Sequence, residues 1–214
     1  MAFRNRSTGE TPAGADIEIP EGSSALIEVL LAQMTLPEKL AQLGCVWSTQ
    51  LVGDGGKDSP ADGLDPAAAA EQLANGTGQV TRIAASTGLR PAGLARFANQ
   101  IQQWLIDNTR LGIPAVIHEE ALAGFCARDA VQFPQAIGLG ASFDVDLMER
   151  IGDPIRAEML AVGARHALSP VLDVSRDPRW GRVEETYGED PVLCGALGAG
   201  YVRGLQNPGP EGLN

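Results

Sequence analysis

The feature that most restricts this chain is a short apolar run that does not alternate. Gly112-Ile113-Pro114-Ala115-Val116-Ile117 leads straight into His118-Glu119-Glu120. A strand with one wet face alternates apolar and polar residues, whereas an unbroken apolar run is expected of a parallel strand covered on both faces. Cys45 to Ser48, Gln79 to Ala84 and Ala167 to Val174 are three further strand candidates, the last of them also buried.

Helical patterns separate these runs. Leu26, Val29, Leu30 and Gln33/Met34 follow helical spacing from near Ser24. Thr35-Leu36-Pro37-Glu38 has the form of a capping box and opens a short helix to about Leu43. Asp65-Pro66 supplies an N-cap and a proline at the first helical position, and Asn75-Gly76 stops the alanine run that follows. Leu94, Phe97, Ala98, Ile101, Trp104 and Leu105 mark one face of an amphipathic helix, which puts Trp104 in the core. Asp144 caps a helix with Leu147, Ile151, Ile155 and Met159 in register, and Pro154 is a candidate kink. Asp190-Pro191 opens a last helix with Leu193, Leu197, Tyr201 and Leu205 on one side. Strand and helix in alternation imply an α/β fold with a parallel sheet and right-handed crossovers.

Residues 1–22 mix Ser, Thr, Gly, Pro and Glu with few large apolar groups and read as a flexible tail, which leaves 23–214 as the folded portion. Residues 53–64 read as a loop by turn composition, and so do the last residues from Asn207. The three cysteines, Cys45, Cys126 and Cys194, are odd in number and far apart, so they read as buried free thiols rather than a disulfide framework or metal site. A formal charge of −11 without any Lys/Arg cluster argues against nucleic acid and anionic lipid as partners. No segment approaches the roughly 18 apolar residues a membrane helix needs. The opening Met-Ala-Phe-Arg-Asn-Arg-Ser lacks the apolar core of a secretory signal, so a cytoplasmic product is expected.

In parallel α/β folds, ligands meet the loops at the carboxyl ends of strands. Two such places are dense in polar groups: His118-Glu119-Glu120, and the stretch from Asp173 to Glu185 with Arg176, Asp177, Arg179, Trp180 and Arg182. A carboxylate accepts hydrogen bonds from vicinal hydroxyls and arginine donates to their lone pairs, so a sugar suits both. A salt-bridge network among Arg176, Arg179, Glu184, Glu189 and Asp190 would use many of the same residues to tie loops together. Glu119, next to Glu120 on a strand, should point the opposite way and be structural. His118 has no HExxH context and His166 reads as a hydrogen-bonded core group. Gly53-Asp54-Gly55-Gly56-Lys57-Asp58 matches neither a calcium loop nor a phosphate loop and reads as a surface turn. Trp180 stands beside the candidate pocket, but direct stacking on a sugar is not its expected role.

Four segments in order carry a family resemblance. Met34-Thr35-Leu36-Pro37-Glu38-Lys39-Leu40-Ala41-Gln42-Leu43 resembles the opening helix of glycoside hydrolases of family 3. Arg110-Leu111-Gly112-Ile113-Pro114 with His118-Glu119-Glu120-Ala121-Leu122-Ala123-Gly124 resembles their first sugar-binding segment. Phe133-Pro134-Gln135 with Leu139-Gly140-Ala141-Ser142-Phe143-Asp144 resembles the next. Ser169-Pro170-Val171-Leu172-Asp173-Val174, Asp177-Pro178-Arg179-Trp180-Gly181-Arg182, Glu185 and Gly188-Glu189-Asp190-Pro191 form the most specific block. The resemblance runs from about Ile27 to Gln206.

The resemblance implies the first part of a (β/α)8 barrel, incomplete at its carboxyl end, and a retaining hydrolase acting on terminal non-reducing β-D-glycosides, of β-glucosidase or β-xylosidase type. Retention uses two carboxyl groups roughly 5 Å apart. Glu120 falls on the acidic residue that grips the terminal sugar's hydroxyls, and Arg182 on the arginine that binds the same sugar. Glu185 falls where it would orient that arginine. Asp177 and Arg179 would shape the loop. No metal or organic cofactor is implied. The family often has His where Ala123 stands. Its Lys-His-Phe segment, its nucleophile and its acid/base would all lie after Asn214, so no catalytic residue is assigned in this chain. The isolated chain is therefore expected to be inactive. Half a barrel would also expose a strand edge, so poor folding or self-association through that edge is expected. A non-catalytic sugar-binding remnant is the rival reading. A lyase or aldolase would want a lysine at a late strand end, and the only lysines are Lys39 and Lys57.

Overall fold

The computed structural model describes residues 23–52 and 63–207. The expected tail at 1–22, nearly all of the loop at 53–64 and the stretch after Asn207 lie outside the described residues. The chain divides into two compact units. The first takes the residues up to Val80 together with Asn99–Ala115, and the second takes Thr81–Ala98 and the residues from Val116 onward.

The first unit opens with helices α1 (Ser23–Gln33) and α2 (Leu36–Gln42), then strand β1 (Cys45–Trp47) and helix α3 (Pro66–Gln72), and reaches strand β2 (Gln79–Thr81), whose last residue belongs to the second unit. The caps read from the sequence are present. The Thr35 hydroxyl accepts from the Glu38 amide, Glu38 accepts from the Thr35 amide at 2.7 Å, and Asp65 accepts from the Ala67 amide ahead of Pro66. β1 and β2 are neighbours in the sheet. Leu51, Leu73, Val80, Ile101 and Leu105 are fully buried in this unit.

The second unit holds helix α4 (Ile83–Thr87), strand β3 (Val116–Glu119), helices α6 (Ala136–Gly140) and α7 (Val145–Ala161), strand β4 (His166–Ala167) and helix α8 (Pro191–Gln206). Helix α5 (Pro91–Asn108) has its first eight residues, to Ala98, in this unit and the rest in the first. β3 and β4 pair in parallel, with His118 opposite His166 and Glu119 opposite Ala167. The protein is thus an α/β fold with parallel strands, and its alternation of strand and helix is that of the first part of a (β/α)8 barrel.

The unit's main helix contact is α7 against α8. Asp144 and Asp190 cap the two helices as expected. Ile151, Ile155 and Met159 are buried on α7, joined by Met148, while Leu147 is half-buried; Leu197, Tyr201 and Leu205 are buried on α8. The helices approach through glycines. A Cβ at Gly204 would lie 2.2 Å from the Glu149 carbonyl oxygen, and one at Gly152 would lie 2.8 Å from that of Tyr201.

Several expectations are corrected. The strand expected from Ala167 to Val174 is only two residues long, and Leu168 and Leu172 beyond it are 37% and 54% exposed. Pro170 has no N–H to give a ladder, so the run cannot continue as an interior strand. The strand expected to reach Ala84 stops at Thr81, because Arg82 adopts a left-handed conformation and turns the chain into α4. Of the cysteines, only Cys194 is buried; Cys45 and Cys126 are exposed. Cys45 and Trp47 lie on the exposed side of β1, a consequence of the two-residue period of a strand. Trp104 and His166 are half-buried rather than core.

Candidate active site at the ends of two strands

β3 ends in three titratable residues whose side chains meet different surroundings. His118 is buried, with its ring centroid 5.8 Å from that of His166 in an edge-on contact. Burial lowers its pKa, helped by the positive charges of His166 and Arg82. Glu119 is also buried, and its Oε1 accepts from the Ala84 amide at 2.8 Å at the start of α4. Its Oε2 is buried with no hydrogen-bond partner among the described residues. Burial pushes its carboxyl up to about 7, against the opposing pull of nearby backbone amides and of Arg82.

Glu120 turns the other way and is half-exposed. Its Oε1 forms an ion pair with Nη2 of Arg82, the residue that follows β2. The Glu120 carbonyl accepts from the Cys126 amide at 2.8 Å, and the Ala121 carbonyl beside it accepts from the buried hydroxyl of Tyr201 on α8. The two peptide groups that follow this side chain are therefore held by the fold.

The loop after β4 supplies the other groups. Arg182 donates through Nε to both oxygens of Glu185, at 2.9 and 3.0 Å, and through Nη2 to Oε2. The Glu185 carboxylate raises the Arg182 pKa most, followed by the charges of Asp173 and Glu120, and Glu185 itself is lowered by Arg182. Arg182 is well exposed, and among the described residues its bonds go to Glu185 of its own loop, while the Glu120 charge adds slightly to its raised pKa. Asp177 binds Arg179 through the backbone amide at 2.9 Å and through Nη2 at 2.6 Å, which closes the turn between them. The same loop is tied down where the Ser175 amide donates to the Gly188 carbonyl at 2.9 Å.

The structure thus brings Arg182 onto Glu185 and sets Glu120 within its electrostatic reach, but the direct partner of Glu120 is Arg82. Sequence reasoning missed Arg82. No local signal marked it, since the strand read from Gln79 to Ala84 ran straight through Arg82. The tie from Tyr201 to Ala121 had no local signal at all, since 80 residues separate the two. Elsewhere in the second unit, a groove of about 590 Å³ on α7 and α8 is lined by Asp146, Glu149, Asp153 and Arg203 among others. It shares no residue with the site above, and several of its charges are engaged in surface pairs, Arg203 with Glu149 at 3.0 Å among them. Among the described residues no cluster of three His, Cys, Asp or Glu side chains could hold a metal ion, and no helix is long and apolar enough to cross a membrane.

Residues 35–210 match the family model described as the glycosyl hydrolase family 3 N-terminal domain. A periplasmic beta-glucosidase/beta-xylosidase from Dickeya chrysanthemi is 40% identical over 143 residues, covering 63% of this chain and 21% of the relative. Beta-glucosidase C of Emericella nidulans is 34% identical over 192 residues, 86% of this chain and 29% of the relative. Among solved structures, a β-glucosidase from Erythrobacter marinus superposes with a TM-score of 0.76 at 33% identity, covering 89% of this chain and 24% of its own. A β-glucosidase from Listeria innocua in complex with isofagomine gives 0.64 at 31%, covering 85% and 23%. The chain spans less than a third of the length of each of these proteins.

Proposed function

This chain belongs to the glycosyl hydrolase family 3 N-terminal domain family, and from that premise we propose that it supplies the sugar-gripping part of a retaining hydrolase of terminal non-reducing β-D-glycosides, of β-glucosidase or β-xylosidase type. Glu120 accepts hydrogen bonds from adjacent hydroxyls of the non-reducing sugar, Arg182 donates to the same ring, and Glu185 orients Arg182. The observation that supports this reading most is topological: Glu120 follows β3, Arg182 lies in the loop after its parallel neighbour β4, and Glu185 holds Arg182 there through three hydrogen bonds. A carboxylate accepts from the hydroxyls of a neutral polyol and a guanidinium donates to them, so the two together suit such a ligand. Fixing the sugar in this way is a contribution to rate through orientation, distinct from bond breaking. No residue of the 214 is assigned as nucleophile or acid/base.

Calorimetric or NMR titration of the chain with glucose and with xylose tests the reading. Glu120→Gln and Arg182→Met should each weaken binding about 10- to 100-fold, the effect of losing a hydrogen bond to a charged group. Absence of saturable binding to either sugar, or equal binding by both variants, would sink it. Turnover of aryl β-glucosides or β-xylosides by the repurified chain would overturn the absence of assigned catalysts.

Two further parts of the reading have their own measurements. Among the described strands β4 pairs with β3 alone, and the exposed Leu168 and Leu172 follow it, which supports self-association through that edge. Sedimentation equilibrium showing only monomer at all concentrations would remove that proposal. A cytoplasmic location is proposed against a relative whose name says periplasmic, and fractionation of producing cells decides between them.

A further inference from the structure

The turn after β2 carries a backbone conformation that its residue does not favour. Arg82 has φ 57° and ψ 47°, the left-handed region where Cβ crowds the following carbonyl and Gly or Asn is the usual occupant. Neighbouring bonds hold it there. The Arg82 amide donates to the His118 carbonyl at 3.0 Å, and its own carbonyl accepts from the Ser86 amide at 3.0 Å. Two residues on, the Ala84 amide is held by the buried carboxyl of Glu119 at 2.8 Å. Conformations fixed against local preference in this way concentrate at functional sites. An arginine kept where glycine would fit without strain directs attention to its side chain.

That side chain reaches Glu120. Stability is a weak reason for the contact, because the two side chains are 39% and 29% exposed and a pair so open to water contributes little. Orientation is the better one. The bridge engages Oε1 of Glu120, and among the described residues Oε2 accepts no hydrogen bond. We infer that Arg82 is a positioning residue for Glu120: it fixes the plane of that carboxylate so that Oε2, and the remaining lone pair of Oε1, face the hydroxyls of a bound sugar. The inference rests on the sugar-binding reading of Glu120. It also gives the two adjacent carboxyls a common purpose. Glu119 braces the turn from the buried side, the turn presents Arg82, and Arg82 sets Glu120 on the open side.

Carboxyl footprinting of the whole chain tests this, using a water-soluble carbodiimide with an amine and mass spectrometry of Glu120, with the exposed Glu184 as reference. Arg82→Met should raise the labelling rate of Glu120 at least threefold at unchanged Glu184 labelling, and Arg82→Lys should restore it to within twofold of the wild type. Both variants keep an L side chain at the same backbone position, so neither removes the left-handed cost. Saturating xylose or glucose should protect Glu120 in the wild type, and Arg82→Met should need at least tenfold more sugar for half protection. Arg82→Gln serves as the second neutral variant if Met costs the fold, which labelling of the buried Glu119 would reveal. Equal Glu120 labelling in wild type and the neutral variants overturns the inference, whether or not sugar protects. Loss of sugar protection in every chain, with the labelling contrast intact, overturns the sugar reading instead and supports the hold of Arg82 on Glu120.

Discussion

Arg110 grips Glu38 with both arms of its guanidinium, Nε on Oε1 at 2.8 Å and Nη2 on Oε2 at 2.6 Å, while Nη2 also donates to the Gln33 carbonyl at 2.8 Å. Glu38 is the same carboxylate that completes the capping box of α2. One side chain therefore closes a helix start and anchors the segment just past α5, and both tasks need it ionised. The Arg110 hydrogen bonds lower its pKa to about 2, against its burial, with the Thr35 amide and hydroxyl adding to the effect.

Acid should release this anchor. The folded value of about 2 lies below the ordinary 4.5, so the stabilisation is fully present above pH 4.5 and is lost as pH falls toward 2. Arg110 is a third exposed, which trims the effect to on the order of 2–3 kcal/mol. Urea denaturation of wild type and Glu38→Gln between pH 6 and pH 2 should show the difference between them shrinking across this window. A constant difference would remove the ion pair from the account.

Glu119 has the opposite sign. Its carboxyl is raised from 4.5 to about 7 by burial, so its favourable contribution is complete below pH 4.5 and is lost as pH rises through 7. Glu119→Gln keeps an acceptor for the Ala84 amide and cannot ionise. Relative to the variant, the wild type should lose on the order of 3 kcal/mol between pH 4.5 and pH 8. Denaturation curves showing the wild type gaining on the variant over that range would contradict the assignment.

Two glycines of α8 should respond in opposite directions to alanine. A Cβ at Gly204 would fall 2.2 Å from the Glu149 carbonyl oxygen and 2.9 Å from Gly152 Cα, backbone atoms that cannot step aside alone. Gly204→Ala should cost about 1–3 kcal/mol or more through overpacking. A Cβ at Gly195 meets nothing within 4 Å, so Gly195→Ala should stabilise by about 0.5–1 kcal/mol through helix propensity. Thermal melts in opposite directions are expected, and a stabilising Gly204→Ala would mean that α7 and α8 do not cross there.

Tyr201→Phe should separate packing from polarity. The ring is buried and its hydroxyl, with pKa pushed up to about 12 by burial, donates to the Ala121 carbonyl. The variant keeps the ring and strands a buried carbonyl, a cost of about 1–3 kcal/mol. Ala121 follows Glu120, so sugar affinity should fall as well. Unchanged denaturation midpoint and unchanged affinity would show that the tie carries neither function.

The helices were legible residue by residue, because their signals are local. Thr35 with Glu38, Asp65 with Pro66, Asp144, and Asp190 with Pro191 cap the helices they appeared to cap. The opposed orientations of Glu119 and Glu120 followed from the two-residue period of a strand, one buried and one at the open end. The strands were less legible at their ends. Nothing in Ala167–Val174 announced that the ladder would stop after two residues except Pro170, and nothing in Gln79–Ala84 announced the reversal at Arg82.

What the amino-acid order determined by itself was the alternation of strand and helix, the helix caps, and which two loops would be rich in groups suited to a polyol, since each depends on residues within a few positions of one another. That Glu119 would hold the Ala84 amide, and that Arg82 would be the direct partner of Glu120, was decided only by tertiary structure. Hydrogen bonds and ion pairs depend on distance in space, and 38 residues of chain separate Arg82 from the carboxylate it meets.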